Sequence, residues 1–317
     1  MKKLLLLLVI IAALSFVQLR EWAEKSGPLL SVVNVVIPKG ASSKLVAAEL
    51  AKAGVIDKPL LFRLLARFNG MDKQLKAGEY QFMPGISMLE AMQKISRGEV
   101  FFRKITIPEG LTTGQILYLI ASYPDLSGEV DEDVREGELL PETYSFELGA
   151  TRSSIISQAR NAMKKVLTEA WESRQENLPL KNMREMLTLA SIIEKETAVP
   201  EERPLVASVF INRLKKGMRL QTDPTVIYAL TEGEMSFGRS LRKKDLSIDS
   251  PFNTYKYYGL PPGPICNPGK EAIFAAVNPE SSDFLYFVAD GKGGHSFAKS
   301  LGEHNRNVRN WVKSRRN

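Results

Sequence analysis

The chain has 317 residues, of which 44 % are hydrophobic, so it can bury a core and by length suggests two domains or one domain with attachments. Its single cysteine excludes an intrachain disulfide, and with only two histidines a His/Cys zinc site is disfavoured, so we expect no metal and no cofactor. The formal net charge of +7 fits an anionic membrane surface, a cell-wall polymer or nucleic acid equally well.

The N-terminus has the pattern of a membrane signal. After two lysines, an apolar run extends from Leu4 to Leu19 with only two polar interruptions. A signal-peptide core has roughly 7 to 15 residues and a membrane span roughly 17 to 25, so both interpretations stay open. We favour a retained single-pass anchor over residues 1–21, because residues 12–15 form a poor cleavage site. The lysines then keep the N-terminus cytoplasmic, and the rest of the chain lies outside the inner membrane, with little access to nucleic acid.

Residues 32–99 predict a small α+β module. Its strands are rich in β-branched and aromatic residues, and its helices show apolar periodicity between Gly and Pro breakers. Alternation in the second strand favours a core position for Tyr80 and Phe82 over a sugar-binding surface. The predicted elements are a strand at 32–38, helices at 43–54 and 60–68, a strand at 76–82 and a helix at 88–95.

Residues 100–150 predict a connecting α+β segment. It begins with an alternating strand at 101–107, and its acidic stretch at 125–138 is typical of a surface loop or a small polar helix. A long amphipathic helix at 152–173 then opens a mainly helical region, residues 151–317, in which helices alternate with Gly- and Pro-rich loops. Loops of this kind commonly carry a functional site.

Two carboxylates lie one residue apart in the helix predicted over residues 185–198. At about 100° per residue, Glu196 falls on the apolar stripe with Leu189 and Ile193, whereas Glu194 points roughly 150° away from it. We therefore interpret Glu194 as part of a solvated helix face.

A carboxyl group on an apolar stripe near a helix C-terminus should have a raised pKa, because burial and the helix dipole both disfavour its anion. Glu196 could then stay protonated near neutral pH, as a general acid must. By position alone, a buried ion pair between Glu196 and Arg213 or Arg219 explains the same pattern equally well.

Several long strings in the second half of the chain are highly specific. They are LASIIEKETAVPEERPLVASVFINRLKKGMRLQTDPTVIY at 189–228, NTY at 253–255, GLPPGPI at 259–265, NPG at 267–269 and LYFVADGKGGHSF at 285–297. These strings closely resemble the YceG-like family of endolytic murein transglycosylases, membrane-anchored enzymes that cut nascent peptidoglycan strands. The resemblance extends over nearly the whole chain. It implies a multi-domain α+β fold with an N-terminal membrane anchor, a LysM-like module at 32–99 and a mainly helical catalytic domain with short strands at 151–317.

The resemblance implies that Glu196, the second glutamate of the EKET string, is catalytic, with Thr197 directly after it helping to orient the carboxyl or the sugar. One such carboxyl protonates the oxygen between MurNAc and GlcNAc and then takes the proton of the MurNAc C6 hydroxyl, so a 1,6-anhydroMurNAc end forms without water. The implied partners are peptidoglycan glycan strands, the inner membrane and synthases of the elongation machinery.

Other polar residues are candidates for substrate contacts, and for Asn253, Tyr255 and His295 structural turn roles are equally open. The candidates are Gln221, Thr222, Asp223, Asn253, Tyr255 and His295. Asp223 is also a candidate second carboxylate, which would make the protein a lysozyme-like hydrolase, although an Asp before Pro is an ordinary turn or cap residue. A non-catalytic wall-binding scaffold remains a third alternative.

Overall fold

The computed structural model describes residues 17–130, 133–234 and 237–314. It divides the chain into two compact units, Met1–Arg103 with Ser145–Leu148, and Lys104–Tyr144 with Gly149–Asn317. Most of the predicted anchor lies outside the described residues. Within the described ranges, every helix is too short or too polar to qualify as a membrane span.

The first unit is built on two antiparallel strands, in which Val35 lies opposite Tyr80. Tyr80, Phe82 and Phe62 are fully buried in its core, which confirms the prediction that the two strand aromatics are core residues. The order of elements is the predicted one. They are β1 (Val33–Ile37), α1 (Ser43–Lys52), α2 (Pro59–Phe68), β2 (Gly78–Phe82) and α3 (Met88–Arg97).

The second unit is mainly helical with short strands, which was the prediction for residues 151–317. Strands β3 and β4 pair with each other, and each of them includes residues of both units. Strands β5 and β6 form an antiparallel hairpin in which Phe287 lies opposite Phe297. The elements are β3 (Arg103–Thr106), α4 (Thr113–Ala121), β4 (Thr143–Phe146), α5 (Arg152–Glu172), α6 (Met183–Glu196), a 3-10 turn (Pro200–Glu202), α7 (Arg203–Lys215), α8 (Asp223–Thr231), a second 3-10 turn (Asp245–Ser247), α9 (Lys270–Val277), β5 (Tyr286–Ala289), β6 (His295–Ala298) and α10 (Leu301–Ser314).

Helix α6 is the central element of this unit. It begins at Asn182, whose side chain accepts a hydrogen bond from the main-chain N–H of Glu185, and helices α5, α7, α8 and α9 contact it. Every residue from Met186 to Ile193 is buried, and a helix that is covered on all sides belongs to the interior of a domain. The helix ends at Glu196, because Thr197 has extended dihedral angles. The core therefore fixes the position of the last turn of α6, where both carboxylates lie.

Candidate active site

Glu196, the last residue of α6, opens into a cleft of about 460 Å³ within the second unit. The cleft is formed by the ends of α6 and α7, the segment that enters α8, the loop after the second 3-10 turn, strand β5 and helix α10. Its lining residues are Glu196, Phe210, Arg213, Leu220, Gln221, Asp223, Tyr255, Tyr286, Phe287, Val288, Leu301 and His304.

The carboxyl group of Glu196 is held by Thr222. The Thr222 hydroxyl donates a short hydrogen bond to Oε1 of Glu196, and the Thr222 main-chain N–H donates to the Thr254 hydroxyl at 3.1 Å. The pKa of Glu196 is raised to about 7, mainly by burial and also by the charge of Asp223, against the lowering effects of Thr222, His295 and Arg213. The upward direction and its main cause, burial, agree with the prediction. A carboxyl group with this pKa can donate a proton near neutral pH.

The alternative explanation, an ion pair between Glu196 and a buried arginine, does not fit the geometry. The guanidinium of Arg213 donates to the carbonyl oxygens of Leu220 and Leu285, each at 2.6 Å, and Arg219 stacks over Tyr258 at 4.5 Å. Among the residues that the structure describes, Glu196 has no salt-bridge partner. Arg213 is close enough to lower the pKa of Glu196 without pairing with it.

The segment before α8 brings three predicted site residues to the cleft. Gln221 is exposed and adopts a positive φ of 49°, an uncommon conformation for a residue other than glycine. Asp223 opens α8 and accepts a hydrogen bond from the Tyr255 hydroxyl at 2.6 Å. Burial and then the Asp223 hydrogen bond raise the pKa of Tyr255, so its hydroxyl stays a donor. Gln221, Thr222, Asp223 and Tyr255 are therefore assembled around Glu196.

Two residues that were predicted to bind substrate are hydrogen-bonded to main-chain groups of the protein instead. Asn253 is fully buried, and its amide donates to the carbonyl oxygens of Leu246 and Ile248 while accepting from the Tyr255 main-chain N–H. Thr197 is also buried, and its hydroxyl accepts from the Val199 main-chain N–H at 3.0 Å. Asn253 thus shapes the loop that carries Tyr255, and Thr197 shapes the turn after α6.

His295, the last predicted site residue, does not line the cleft but lies behind one of its walls. Its ring packs edge to face against Phe287, which does line the cleft, at 5.3 Å between ring centroids. Its Nδ1 lies 2.6 Å from the carboxylate of Glu202. Glu202 was not predicted as a site residue, since its partner is 93 residues away in the sequence.

Sequence reasoning also did not predict His304 as a cleft residue. His304 stacks on Tyr286 at 5.3 Å, and burial and the nearby Arg213 lower its pKa. The spacing between Leu301 and His304 places both on one face of α10, and this was the signal that could have identified the pair. No group of three or more His, Cys, Asp or Glu side chains in the described ranges is arranged to hold a metal ion.

The prediction that Glu194 lies on a solvated helix face is wrong. Its side chain is only 7 % exposed, accepts from the Gly269 main-chain N–H at 3.0 Å and pairs with Arg203 at 3.4 Å. Burial is the main cause that raises its pKa. The assignment failed because α6 is covered on all sides, so the face opposite the apolar stripe also meets protein. Arg203 makes two further ion pairs, with Glu109 and Glu271.

Glu196→Gln is expected to stabilise the fold at alkaline pH. The folded-state pKa of about 7 exceeds the ordinary value of 4.5, so the unfolded chain loses this proton first and stability falls as the pH rises from 4.5 to 7. The variant cannot ionise at this position, so it avoids this loss of stability, and its amide oxygen still accepts from Thr222. We expect its free energy of unfolding, relative to the unmodified chain, to rise by about 1 to 3 kcal/mol between pH 5 and pH 8 in urea titrations. A difference that does not change with pH, or one that the exposed Glu201→Gln shares, would contradict this.

A carboxyl group with a pKa of about 7 in an open cleft is the arrangement that general acid catalysis requires, and it defines the class of protein to compare with this chain. Residues 35–310 match the YceG-like family, and the chain belongs to that family. The chain is 33 % identical to the endolytic murein transglycosylase of Bacillus subtilis (strain 168), over 90 % of this chain and 86 % of the relative.

Two further comparisons agree with this family. The endolytic murein transglycosylase of Streptococcus pneumoniae serotype 2 (strain D39) is also 33 % identical over 90 % of this chain, which spans 59 % of that longer protein. The crystal structure of a YceG-like protein from Listeria monocytogenes superimposes with a TM-score of 0.52 at 34 % identity. That comparison covers 87 % of this chain and 98 % of the solved one.

Proposed function

We propose that this chain is an endolytic transglycosylase, a lyase that cleaves the bond between MurNAc and GlcNAc in nascent peptidoglycan strands. Cleavage leaves a 1,6-anhydroMurNAc end and terminates elongation of the glycan. The observation that carries the proposal is the cleft position of Glu196, whose pKa of about 7 lets one carboxyl group both give and take a proton near neutral pH. Membership of the YceG-like family and the activity for which its relatives are named support the same reaction.

The reaction uses the two protonation states of Glu196 in turn. Thr222 donates to Oε1, so Oε2 is the oxygen that carries the proton. Oε2 gives this proton to the bridging oxygen while the bond from that oxygen to MurNAc C1 breaks, and the acetamido group of the substrate stabilises the positive sugar. The carboxylate then takes the proton of the C6 hydroxyl as O6 bonds to C1. No water is consumed, and Glu196 ends protonated as it began.

The remaining parts of the chain fit a wall enzyme at the membrane surface. The apolar run within residues 1–21 supports a single-pass anchor in the inner membrane, with the catalytic unit on the extracytoplasmic, periplasmic side. The strand-helix-helix-strand order of β1, α1, α2 and β2 supports a LysM-like module that holds glycan strands. Synthases of the elongation machinery are the proposed protein partners.

A lysozyme-like hydrolase is the second candidate, because Asp223 lies in the same cleft and its charge raises the pKa of Glu196. A hydrolase needs a second carboxylate to act as nucleophile or to activate water. The hydrogen bond from Tyr255 instead gives Asp223 a positioning task at the start of α8.

Product mass separates these functions. Incubation of uncrosslinked peptidoglycan with the chain from Trp22 onward is expected to yield anhydro ends, which lack one water relative to reducing ends. Asp223→Asn should keep the anhydro product, lose less than about a hundredfold in rate and move the pH optimum down, because removing a negative charge lowers the pKa of Glu196. The exposed Asp249→Asn is the matched control. Reducing ends would establish a hydrolase, and no fragments from the unmodified chain would favour a scaffold.

A further inference from the structure

Glu202, the last residue of the first 3-10 turn, uses both carboxylate oxygens on one residue of the hairpin. Oε1 accepts from the His295 main-chain N–H at 2.8 Å, and Oε2 lies 2.6 Å from Nδ1 of the same residue. Two contacts to one residue fix the direction of the imidazole as well as its position. Among the described residues, the second ring nitrogen, Nε2, has no hydrogen-bond partner. Of the two ring nitrogens, Nδ1 is therefore the one that anchors the ring.

The loop before His295 is shaped around this carboxylate. A Cβ atom on Gly294 would lie 2.6 Å from Oε1 of Glu202, so only glycine allows the carboxylate to approach the main chain here. Asp290 orders the same loop by accepting from the main-chain N–H groups of Lys292 and Gly294, at 2.6 and 3.1 Å. The side chains of Glu202 and His295 are only 19 % and 16 % exposed. The pair is therefore a largely buried part of the fold and not a contact at the protein surface.

The pair joins the end of the catalytic helix to a wall of the cleft. The Thr197 hydroxyl, directly after Glu196, lies 3.4 Å from Oε2 of Glu202. The His295 ring packs against Phe287, which lines the cleft.

His295 is close enough to Glu196 for a positive charge on its ring to lower the pKa of that carboxyl group. The other polar groups that influence this carboxyl come from different elements. They are Arg213 on α7, Thr222 and Asp223 at the start of α8, and Tyr255 in the following loop.

We infer that Glu202 is a positioning residue for the reaction: it fixes the His295 ring beside the cleft wall, where a positive charge on that ring acts on the anion that develops on Glu196 during proton donation. The inference rests on the proposed function. When the ring carries a proton, the Glu202 carboxylate balances its charge, so the pair adds no net charge to the cleft wall. The negative charge of Asp223 opposes proton release by Glu196, and a positive charge on His295 offsets that effect.

The test is a double-mutant cycle on anhydro-product formation, measured as kcat and KM across pH. Glu202→Gln, His295→Gln and the double variant are each expected to lose about tenfold in kcat, because residues that act as a unit are not additive. The alkaline limb should move up by roughly 0.5 pH unit in all three, because His295→Gln removes the charged ring and Glu202→Gln releases it from its position, and either change raises the pKa of Glu196. The matched control Glu201→Gln, an exposed neighbour with the same charge change, should behave as the unmodified chain.

Additive losses in the double variant, or an alkaline limb that stays in place, would overturn the inference while leaving the proposed function intact. No anhydro product from the unmodified chain would instead overturn the proposed function and the catalytic part of the inference with it.

A second readout does not depend on activity. Because the chain has only two histidines, a His304→Gln background leaves one imidazole, whose ¹⁵N spectrum shows the protonation of Nδ1 directly. We expect this signal to shift with Glu202→Gln and not with Glu201→Gln. An unchanged Nδ1 signal would show that Glu202 does not hold the ring.

Discussion

Glu196→Gln is expected to abolish the formation of anhydro ends, with a loss of at least about 10³-fold, because one carboxyl group serves both proton transfers. Glutamine keeps the size of the side chain and an acceptor for the Thr222 hydroxyl, so the cleft should stay assembled. It can neither give a proton to the glycosidic oxygen nor take one from the C6 hydroxyl. Mass spectrometry of fragments from uncrosslinked peptidoglycan measures the loss directly.

Glu194→Gln is the matched comparison, since it makes the same change two residues earlier on the same helix. Glu194 accepts from Gly269 and pairs with Arg203, and the residues lining the cleft do not include it. We expect this variant to retain most of the activity of the unmodified chain. If both variants lose activity equally, or if Glu196→Gln keeps more than about a tenth of it, Glu196 is not the acid and base of the reaction.

Arg203→Met is expected to lower the free energy of unfolding by about 3 to 5 kcal/mol at pH 8, because it leaves the buried carboxylate of Glu194 without its cation. The Arg203 side chain is 7 % exposed and also pairs with Glu109 and Glu271, so three carboxylates lose one shared partner. The cost should shrink as the pH falls, since burial already raises the pKa of Glu194 and a protonated carboxyl group needs no cation. Urea titrations at pH 8 and pH 5 measure both effects.

Arg184→Met controls for the loss of an arginine from the same region, since Arg184 is exposed and its guanidinium donates to the carbonyl oxygen of Pro262 at 3.3 Å. It should cost less than about 1 kcal/mol. Adding Glu194→Gln to Arg203→Met should recover part of the loss, because the uncompensated charge is then absent. Equal effects of the two arginine variants, or no recovery in the double variant, would show that the ion cluster does not contribute as described.

The course of the chain and the apolar surroundings of Glu196 could be predicted from local patterns. Apolar periodicity between Gly and Pro breakers identified the helices and strands of the first unit and the long helix Arg152–Glu172, since side-chain period depends only on neighbouring residues. The same reasoning placed Glu196 among apolar residues and predicted its raised pKa. The environment of Glu194 could not be predicted in this way, because its carboxylate lies beside Gly269 and Glu109, which are far away in the sequence.

The sequence by itself thus determined the order of the secondary structure elements, the strings that identify the family and the position of Glu196 on the apolar stripe of its helix. Tertiary structure alone decided which polar residues meet that carboxyl group. In the folded chain Thr222 donates a hydrogen bond to Glu196, Asn253 is buried in the core and Glu202 pairs with His295. The physical reason is that periodicity shows which face of an element is apolar, whereas a hydrogen bond or ion pair between distant residues exists only once the core has set the distance between their backbones.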